Sequence, residues 1–447
     1  MKLSSFILFL LISAFSCKSK EEWKTRAIYQ ILTDRFARTS DTGFCNYGEY
    51  CGGNYRGIIN KLDYIKGMGF DAIWISPIIE NLEDSYHGYH LTNLYNLNYH
   101  FGTEDDFRAL ISACHENDIW VMVDVVANHV APIQTDYGRI TPFNSADHYH
   151  DWCNINNWYN QWEVENCRLC DMPDLKQEND WVTQKLLEWI HDIVQKYNLD
   201  GIRIDTIMEV PKWFWDKFRQ SAGVFQIGEA FNGDVGYVAD YQRHLDSVFN
   251  YPLYFAIKKG FCGNFRDLEN YWMNQRNVFP APEYTATFVE NHDNERFLNQ
   301  CNDRSKFTNA IIFSLLFEGV PVMYYAGEQY YAGGKDPANR EPLWDNYNTQ
   351  SILYQLVAKA NYLRKSYKIW NYKVVQRYAD ENFYAFSRGN VLACFTNVQS
   401  LQRTITYHDF NNGDRLCNLL YDGDCVTVSG GGIPINMGDY PKVYVKQ

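Results

Sequence analysis

After its first sixteen residues this chain has no apolar run long enough to cross a bilayer, which takes about twenty residues. It is also short of positive charge: 41 Lys and Arg against 54 Asp and Glu leave a net charge of −13. That deficit argues against nucleic acid or an anionic membrane surface as a partner. No Asn-x-Ser/Thr acceptor occurs, and there are no internal repeats or low-complexity tracts. Cys167 and Cys170 have the spacing of a metal or redox pair, but no second pair in ligand spacing accompanies them, so no metal role is expected there.

The chain is rich in rings and in core-forming residues. Of its 447 residues 46% are hydrophobic and 17% aromatic, with 34 Tyr, 27 Phe and 13 Trp. An acidic, aromatic surface suits an uncharged ligand with apolar faces, such as a sugar, although rings also fill cores. Residues 1–16 place a Lys before an apolar run from Phe6 to Phe15, then Ala14 and Ser16 before Cys17. This is the pattern of a cleaved signal peptide and predicts a secreted, extracellular protein. Lipidation at Cys17 is the rival, disfavoured because Ala14 stands where lipoprotein signals usually carry Leu. Twelve cysteines in an exported chain predict disulfides, with Cys45/Cys51, Cys153/Cys167 and Cys417/Cys425 close enough to shut short loops. Cys114 and Cys394 lie in apolar stretches and read as buried thiols.

Short apolar, β-branched runs recur along the chain: 27–32, 72–77, 121–126, 201–205, 224–229, 247–252, 285–290 and 320–325. Between them, segments such as 103–117 and 182–197 carry apolar residues at helical spacing. Thr103 and Asp106 have the three-residue spacing of a capping box. Eight strands alternating with helices predict a closed (β/α)8 barrel. Patterning lapses between about 130 and 178, too long a stretch for an ordinary loop. From about 374 the alternation gives way to short antiparallel strands. The expected organisation is therefore a signal peptide (1–16), a barrel (22–128 and 179–373), an inserted subdomain after strand three (129–178) and a small C-terminal antiparallel β domain (374–447).

The strands end in polar residues: Asp34-Arg35, Asn128-His129, Asp205, Glu229 and His292-Asp293. Barrels of this kind build their active sites at the C-terminal strand ends. Buried acids are costly unless paired or used. In GIRID (201–205) alternation puts Arg203 and Asp205 on one face, where the guanidinium would keep the carboxylate ionised and nucleophilic. Glu229 ends the next strand in a partly apolar setting that favours its protonated form. One ionised and one protonated carboxyl are what glycoside hydrolysis uses, and a retaining pair stands roughly 5–5.5 Å apart.

The segments DVVANH (124–129), GIRIDTIMEV (201–210), IGEAF (227–231) and FVENHD (288–293) resemble the ordered signature regions of the α-amylase family of glycoside hydrolases. Residues 50–77, YHGYH (86–90), MPDL (172–175) and DPANREPLW (336–344) extend the likeness over roughly 25–345, nearest to the secreted fungal α-amylases. The resemblance implies Asp205 as nucleophile, Glu229 as acid/base and Asp293 as a third, substrate-gripping carboxylate. It implies Arg203 as the group that orients Asp205. His87, Tyr89, His129, His292, Asp336 and Arg340 match sugar-binding positions. It further implies a structural Ca2+ between insert and barrel, with Asn128, Glu165, Asp174 and the backbone carbonyl of Glu209 as oxygen donors.

Two departures bear on substrate. Met208-Glu209 replaces a fungal Lys-His pair on the leaving-group side, and Glu209 resembles the neopullulanase and cyclodextrinase branch. His90 replaces a Trp of the fungal pattern. Three readings follow. The first is a monomeric endo-acting α-amylase that cleaves internal α-1,4 bonds of starch or glycogen with retention. The second is a related enzyme acting on cyclodextrins, pullulan or short maltooligosaccharides. The third, a non-enzymatic glucan-binding protein, is disfavoured because all three carboxylates are present.

Overall fold

The computed structural model describes residues 18–39 and 44–447. The expected signal peptide and Cys17 lie outside these residues. Eight parallel strands form the barrel: β1 (Ile28–Ile31), β2 (Ala72–Ile75), β3 (Trp120–Val125), β4 (Gly201–Ile204), β5 (Phe225–Gly228), β6 (Ser247–Val248), β7 (Ala286–Thr287) and β8 (Val320–Tyr324). They pair in the order β6-β5-β4-β3-β2-β1-β8-β7, and a parallel bridge between Phe249 and Ala286 closes β6 onto β7. All eight predicted runs become barrel strands. They are buried on both faces, which is why they read as continuous apolar runs.

The helices behave as their patterns predict. Helix α1 (Glu104–Glu116) starts on a capping box in which Thr103 and Asp106 satisfy each other's backbone N–H groups. Helix α2 (Asp180–Tyr197) starts on Asn179 and ends with Asn198 in the left-handed conformation. Both bury one apolar stripe against the strands.

A dry plug closes the lower barrel. Trp23, from a short helix before β1, stacks on Phe225 with centroids 5.2 Å apart and meets Trp120 edge-on at 5.1 Å. Its indole donates to the Asp200 carbonyl (3.1 Å). Gly201 is required beneath it: a Cβ there would sit 2.7 Å from the Trp23 ring. Ile28, Ala72, Met122, Phe225, Ile227, Val320 and Val322 complete this layer.

Two segments build up the barrel mouth. The first is a hairpin of Ile79–Asn81 and Leu91–Leu97 after β2, which the sequence reading does not anticipate because its turn, DSYHGYH, is polar. The second is the stretch after β3, which carries short 3-10 turns and the helix Gln161–Asn166. The two are joined where Leu94 N–H donates to Thr141 O (2.9 Å) and Ala131 N–H to Leu91 O (2.9 Å).

From Val375 the chain is antiparallel, with strands β9 (Val375–Ala379), β10 (Phe383–Arg388), β11 (Val391–Thr396), β12 (Leu401–Ile405), β13 (Arg415–Asn418), β14 (Cys425–Thr427), β15 (Ile433–Met437) and β16 (Lys442–Lys446). Six of them form a sheet in the order β9-β10-β11-β16-β13-β14, while β12 pairs with β15.

Disulfides join Cys45–Cys51, Cys153–Cys167 and Cys417–Cys425, as the spacing predicts. A fourth, Cys262–Cys301, spans 39 residues and has no local sequence signal. Cys114 and Cys394 are buried free thiols, and Cys170 is exposed. Among the described residues no helix is long and apolar enough to cross a membrane.

Candidate active site

A cavity of about 700 Å3 opens at the C-terminal ends of the barrel strands. Its lining includes His87, Tyr89, His129, Asp205, Glu229, Asp293, Asp336 and Arg340, so eight of the ten residues singled out for catalysis or sugar binding meet in one place. The other two, Arg203 and His292, lie buried beneath it.

Arg203 organises the floor. Its Nη1 lies 2.7 Å from Asp205 Oδ1 and 3.0 Å from both oxygens of Asp124, and its Nη2 lies 2.5 Å from Glu229 Oε2. One guanidinium thus holds three carboxylates, and its ring neighbour Trp74 lies 5.2 Å away. The two-residue alternation expected for β4 delivers Arg203 and Asp205 to the same side, and the 201–204 pairing with β3 and β5 sets Asp124 and Glu229 beside them. Thr206 follows in the left-handed region (φ 48°), which is uncommon for a β-branched residue and turns the chain away directly after Asp205.

Asp124 is a residue sequence reading passed over. It lies in DVVANH, but only contacts across the barrel show its use. Trp74 Nε1 donates to it (3.1 Å), as does the Tyr89 hydroxyl (2.8 Å). Burial pushes its carboxyl up to about 7 against the pull of Arg203.

Glu229 is also held more tightly than expected. Burial drives its carboxyl well above the usual range, with Arg203 opposing and Asp293 and Asp205 adding to the rise. The direction is the one read from sequence, but the setting is polar rather than apolar. The Tyr251 hydroxyl donates to Glu229 Oε1 (3.0 Å), and Asn291 Nδ2 donates to the Tyr251 oxygen (2.8 Å). Asn291 Oδ1 meanwhile accepts from the backbone N–H of Asp293 (3.1 Å). A single amide therefore ties the Glu229 side chain to the Asp293 loop. Neither Tyr251 nor Asn291 stands out in sequence, because a Tyr at the start of a helix and an Asn in a turn have ordinary structural uses.

His292 and Tyr89 form a second chain. Gln30 Nε2 lies 2.8 Å from His292 Nδ1, and His292 Nε2 lies 2.7 Å from the Tyr89 hydroxyl, which donates to Asp124. This order makes Nε2 of His292 the protonated nitrogen. Burial, with Arg340 and Arg203 nearby, keeps the ring neutral by pulling its pKa well below the usual value. Arg340 bonds the His292 carbonyl (2.9 Å) and Asp336 (3.2 Å), with Asp293 at 3.6 Å. His129 is buried with Nε2 unpartnered.

Of the four residues considered for a cation, three converge. One end of the Asn128 amide lies 2.8 Å from Asp174 Oδ1 and 3.2 Å from the Glu209 carbonyl oxygen, while the other end faces His129 Nδ1 at 3.1 Å. The Glu165 carboxylate accepts a hydrogen bond from Gln161 Nε2 at Oε1 (2.7 Å). Among the described residues no three His, Cys, Asp or Glu side chains cluster as metal ligands. The Glu209 side chain lines the cavity instead, with Oε2 buried and unpartnered and its carboxyl pushed by burial up to about 8.

Carboxylates on neighbouring barrel strands, bridged by a buried guanidinium at the floor of an open cavity, are the equipment of a glycoside hydrolase. Residues 30–392 match the catalytic-domain description of the α-amylase family, "Alpha amylase, catalytic domain". An α-amylase of Saccharomycopsis fibuligera is 39% identical over 95% of this chain and 92% of its own length, and α-amylase 1 of Schwanniomyces occidentalis is 36% identical over 95% and 90%. The solved α-amylase of Malbranchea cinnamomea superposes with a TM-score of 0.92 at 38% identity, over 96% of this chain and 97% of that one. The chain belongs to the α-amylase family.

Proposed function

We propose that this protein is a secreted, endo-acting α-amylase that hydrolyses internal α-1,4-glucosidic bonds of starch or glycogen with retention. The observation that carries the reading is the Arg203 bridge, with Asp205 at 2.7 Å and Glu229 at 2.5 Å on two nitrogens of one guanidinium. That arrangement holds the pair a few Å apart, in keeping with the roughly 5–5.5 Å of a retaining mechanism. Asp205 Oδ attacks the anomeric carbon while the Glu229 carboxyl gives its proton to the leaving glycosidic oxygen. A glycosyl ester forms on Asp205 and the leaving chain departs with a free hydroxyl. Glu229, now a carboxylate, takes a proton from water as the water oxygen attacks the same carbon, releasing Asp205 and the α-anomer.

The neighbours fit supporting roles. Tyr251 and Asn291 position Glu229, and Asp124 shares the charge of Arg203, so the cation is not committed to one acid. His129, with its free Nε2, together with Asp293, Asp336 and Arg340, grips sugar hydroxyls, while His292 holds the Tyr89 hydroxyl from beneath. His87 and Tyr89 line the same wall.

A structural Ca2+ fits the donor set at Asn128, Asp174 and the Glu209 carbonyl, all hard oxygens. With the amide oxygen of Asn128 turned to that side, three oxygens face each other as a cation requires. Asn128 Nδ2 then donates to His129 Nδ1, leaving His129 with Nε2–H to offer the substrate. The ion would tie the segment after β3 to the β4 loop. A chelator is expected to lower the melting temperature by several degrees, restored by added Ca2+; an unchanged melting temperature would refute the site.

The test of the reaction is product analysis on starch, cyclodextrin and pullulan, with the anomer followed by proton NMR. Rapid viscosity loss on starch, α-anomeric products and little action on the other two are expected. A second reading, a neopullulanase- or cyclodextrinase-like enzyme, is favoured by one observation: the Glu209 carboxyl in the cavity wall, where the fungal pattern has a base. Comparable rates on all three substrates would select it.

A further inference from the structure

The rim of the cavity carries a feature that the chemistry above leaves unused. Residues 154–162, NINNWYNQW, contain no charged side chain and hold three large rings in solvent. Trp158 is 50% exposed, Trp162 63% and Tyr159 100%. Trp158 lines the catalytic cavity, whereas Tyr159 and Trp162 lie outside it. Among the described residues none of these three rings packs against another ring or carries a cation. Nearby Trp152 differs, because the Arg168 guanidinium covers it at 3.9 Å.

The rings are exposed on a braced segment. The Glu163 carboxylate accepts from the backbone N–H groups of Asn156 (3.0 Å) and Asn157 (2.9 Å) and from Asn160 Nδ2 (3.0 Å). Asn157 Oδ1 accepts from the Tyr159 N–H (3.0 Å), and the Cys153–Cys167 disulfide closes the segment. Gln161 roots it in the barrel, donating to the Met208 carbonyl (3.1 Å) and accepting from the Tyr237 hydroxyl (2.7 Å). Ordering apolar rings toward water costs free energy that a ligand can return, and a pre-ordered surface loses little entropy on binding.

We propose that Tyr159 and Trp162 form an aromatic surface that extends the catalytic cleft and binds a further stretch of the same α-glucan chain whose scissile bond lies in the cavity. The proposal rests on the α-glucan reading above. Continuity selects the occupant: Trp158 belongs to the cavity wall, and the next exposed rings follow one and four residues on. Chemistry agrees with it. The C–H faces of glucose lie flat on aromatic rings, the interspersed Asn and Gln amides match sugar hydroxyls, and the absence of charge suits a neutral polymer. Gln161, which lies between the two rings in sequence, bonds the carbonyl of Met208, a residue of the cavity wall, and so anchors the segment beside the cleft.

The test is the double variant Tyr159→Ala/Trp162→Ala, with Trp162→Phe as a conservative control. KM is measured on amylopectin and on a short chromogenic maltooligosaccharide. Retention in starch-containing native gels is followed in the Asp205→Asn background. The double variant is expected to raise KM for amylopectin roughly tenfold, equivalent to about 1.4 kcal/mol, and to lose retention in the gel. Its kcat/KM on the short substrate stays unchanged, and Trp162→Phe keeps most of the polymer affinity. Unchanged amylopectin KM and gel retention would overturn the proposal, as would equal losses on both substrates. A shift in oligomeric state with glucan binding intact would also overturn it and mark a protein interface. If the native enzyme cleaves no α-glucan of any length, the catalytic reading fails instead, and gel retention still decides the aromatic surface.

Discussion

The lower and upper halves of the barrel interior are built from the same strands, two residues apart, and share almost no chemistry. Ile28, Met122, Gly201 and Ile227 belong to a dry layer under Trp23, while Gln30, Asp124, Arg203 and Glu229 form the floor of the cavity. One step in the strand period therefore separates a plug that only packs from a site that can react. The lower layer gains free energy by excluding water. The upper layer spends it: three carboxylates and a guanidinium are taken out of water and survive only because each satisfies another. A polar layer of this kind is tolerated where the apolar layer beneath supplies the stability.

The contrast can be broken from either side. The largest expected effect comes from the upper layer. Asp205→Asn should lower kcat by about 10^4-fold or more while leaving the melting temperature nearly unchanged. Retained activity would remove Asp205 from the nucleophile's place. In the lower layer, Phe225→Ala removes the ring that stacks on Trp23 and should cost about 3–5 kcal/mol of stability in denaturant unfolding. Its kcat/KM at a permissive temperature should stay within about twofold, because nothing that touches substrate is moved. A large catalytic loss in that variant would deny the separation of the layers.

Tyr251→Phe sharpens the comparison with a smaller effect. The hydroxyl of Tyr251 donates to Glu229 and so lowers its pKa. Its loss lets the pKa rise further, the acid stays protonated to higher pH, and the basic limb of kcat/KM moves up by about half to one unit. A fall in kcat without movement of that limb would reduce Tyr251 to a packing residue. Asn291→Ala should move the same limb in the same direction, since it releases the Tyr251 hydroxyl.

Much of this was legible in the residues alone. The eight strands announce themselves because buried parallel strands are continuous apolar runs, and the acids at their ends mark the reactive rim. Asp205 and Glu229 stand out because a carboxylate at the end of such a run has few structural excuses. What stayed hidden depends on contacts across long stretches of chain. Asp124 meets Arg203 79 residues away, and Asn291 meets Tyr251 40 residues away. Cys262 and Cys301 have no local spacing that predicts their bond. The hairpin that carries His87 and Tyr89 is not legible because its polar turn hides two short strands. For Glu165, a motif position gives the residue but not the Gln161 amide that hydrogen-bonds its carboxylate.

The most direct test traps the intermediate. In Glu229→Gln the base that activates water is gone, and an α-maltosyl fluoride supplies a leaving group that needs no acid. The glycosyl–enzyme ester should then accumulate, and peptide mapping by mass spectrometry should place the maltosyl group on Asp205. A label on another residue, or no covalent species together with β-anomeric products from the native enzyme, would contradict the account.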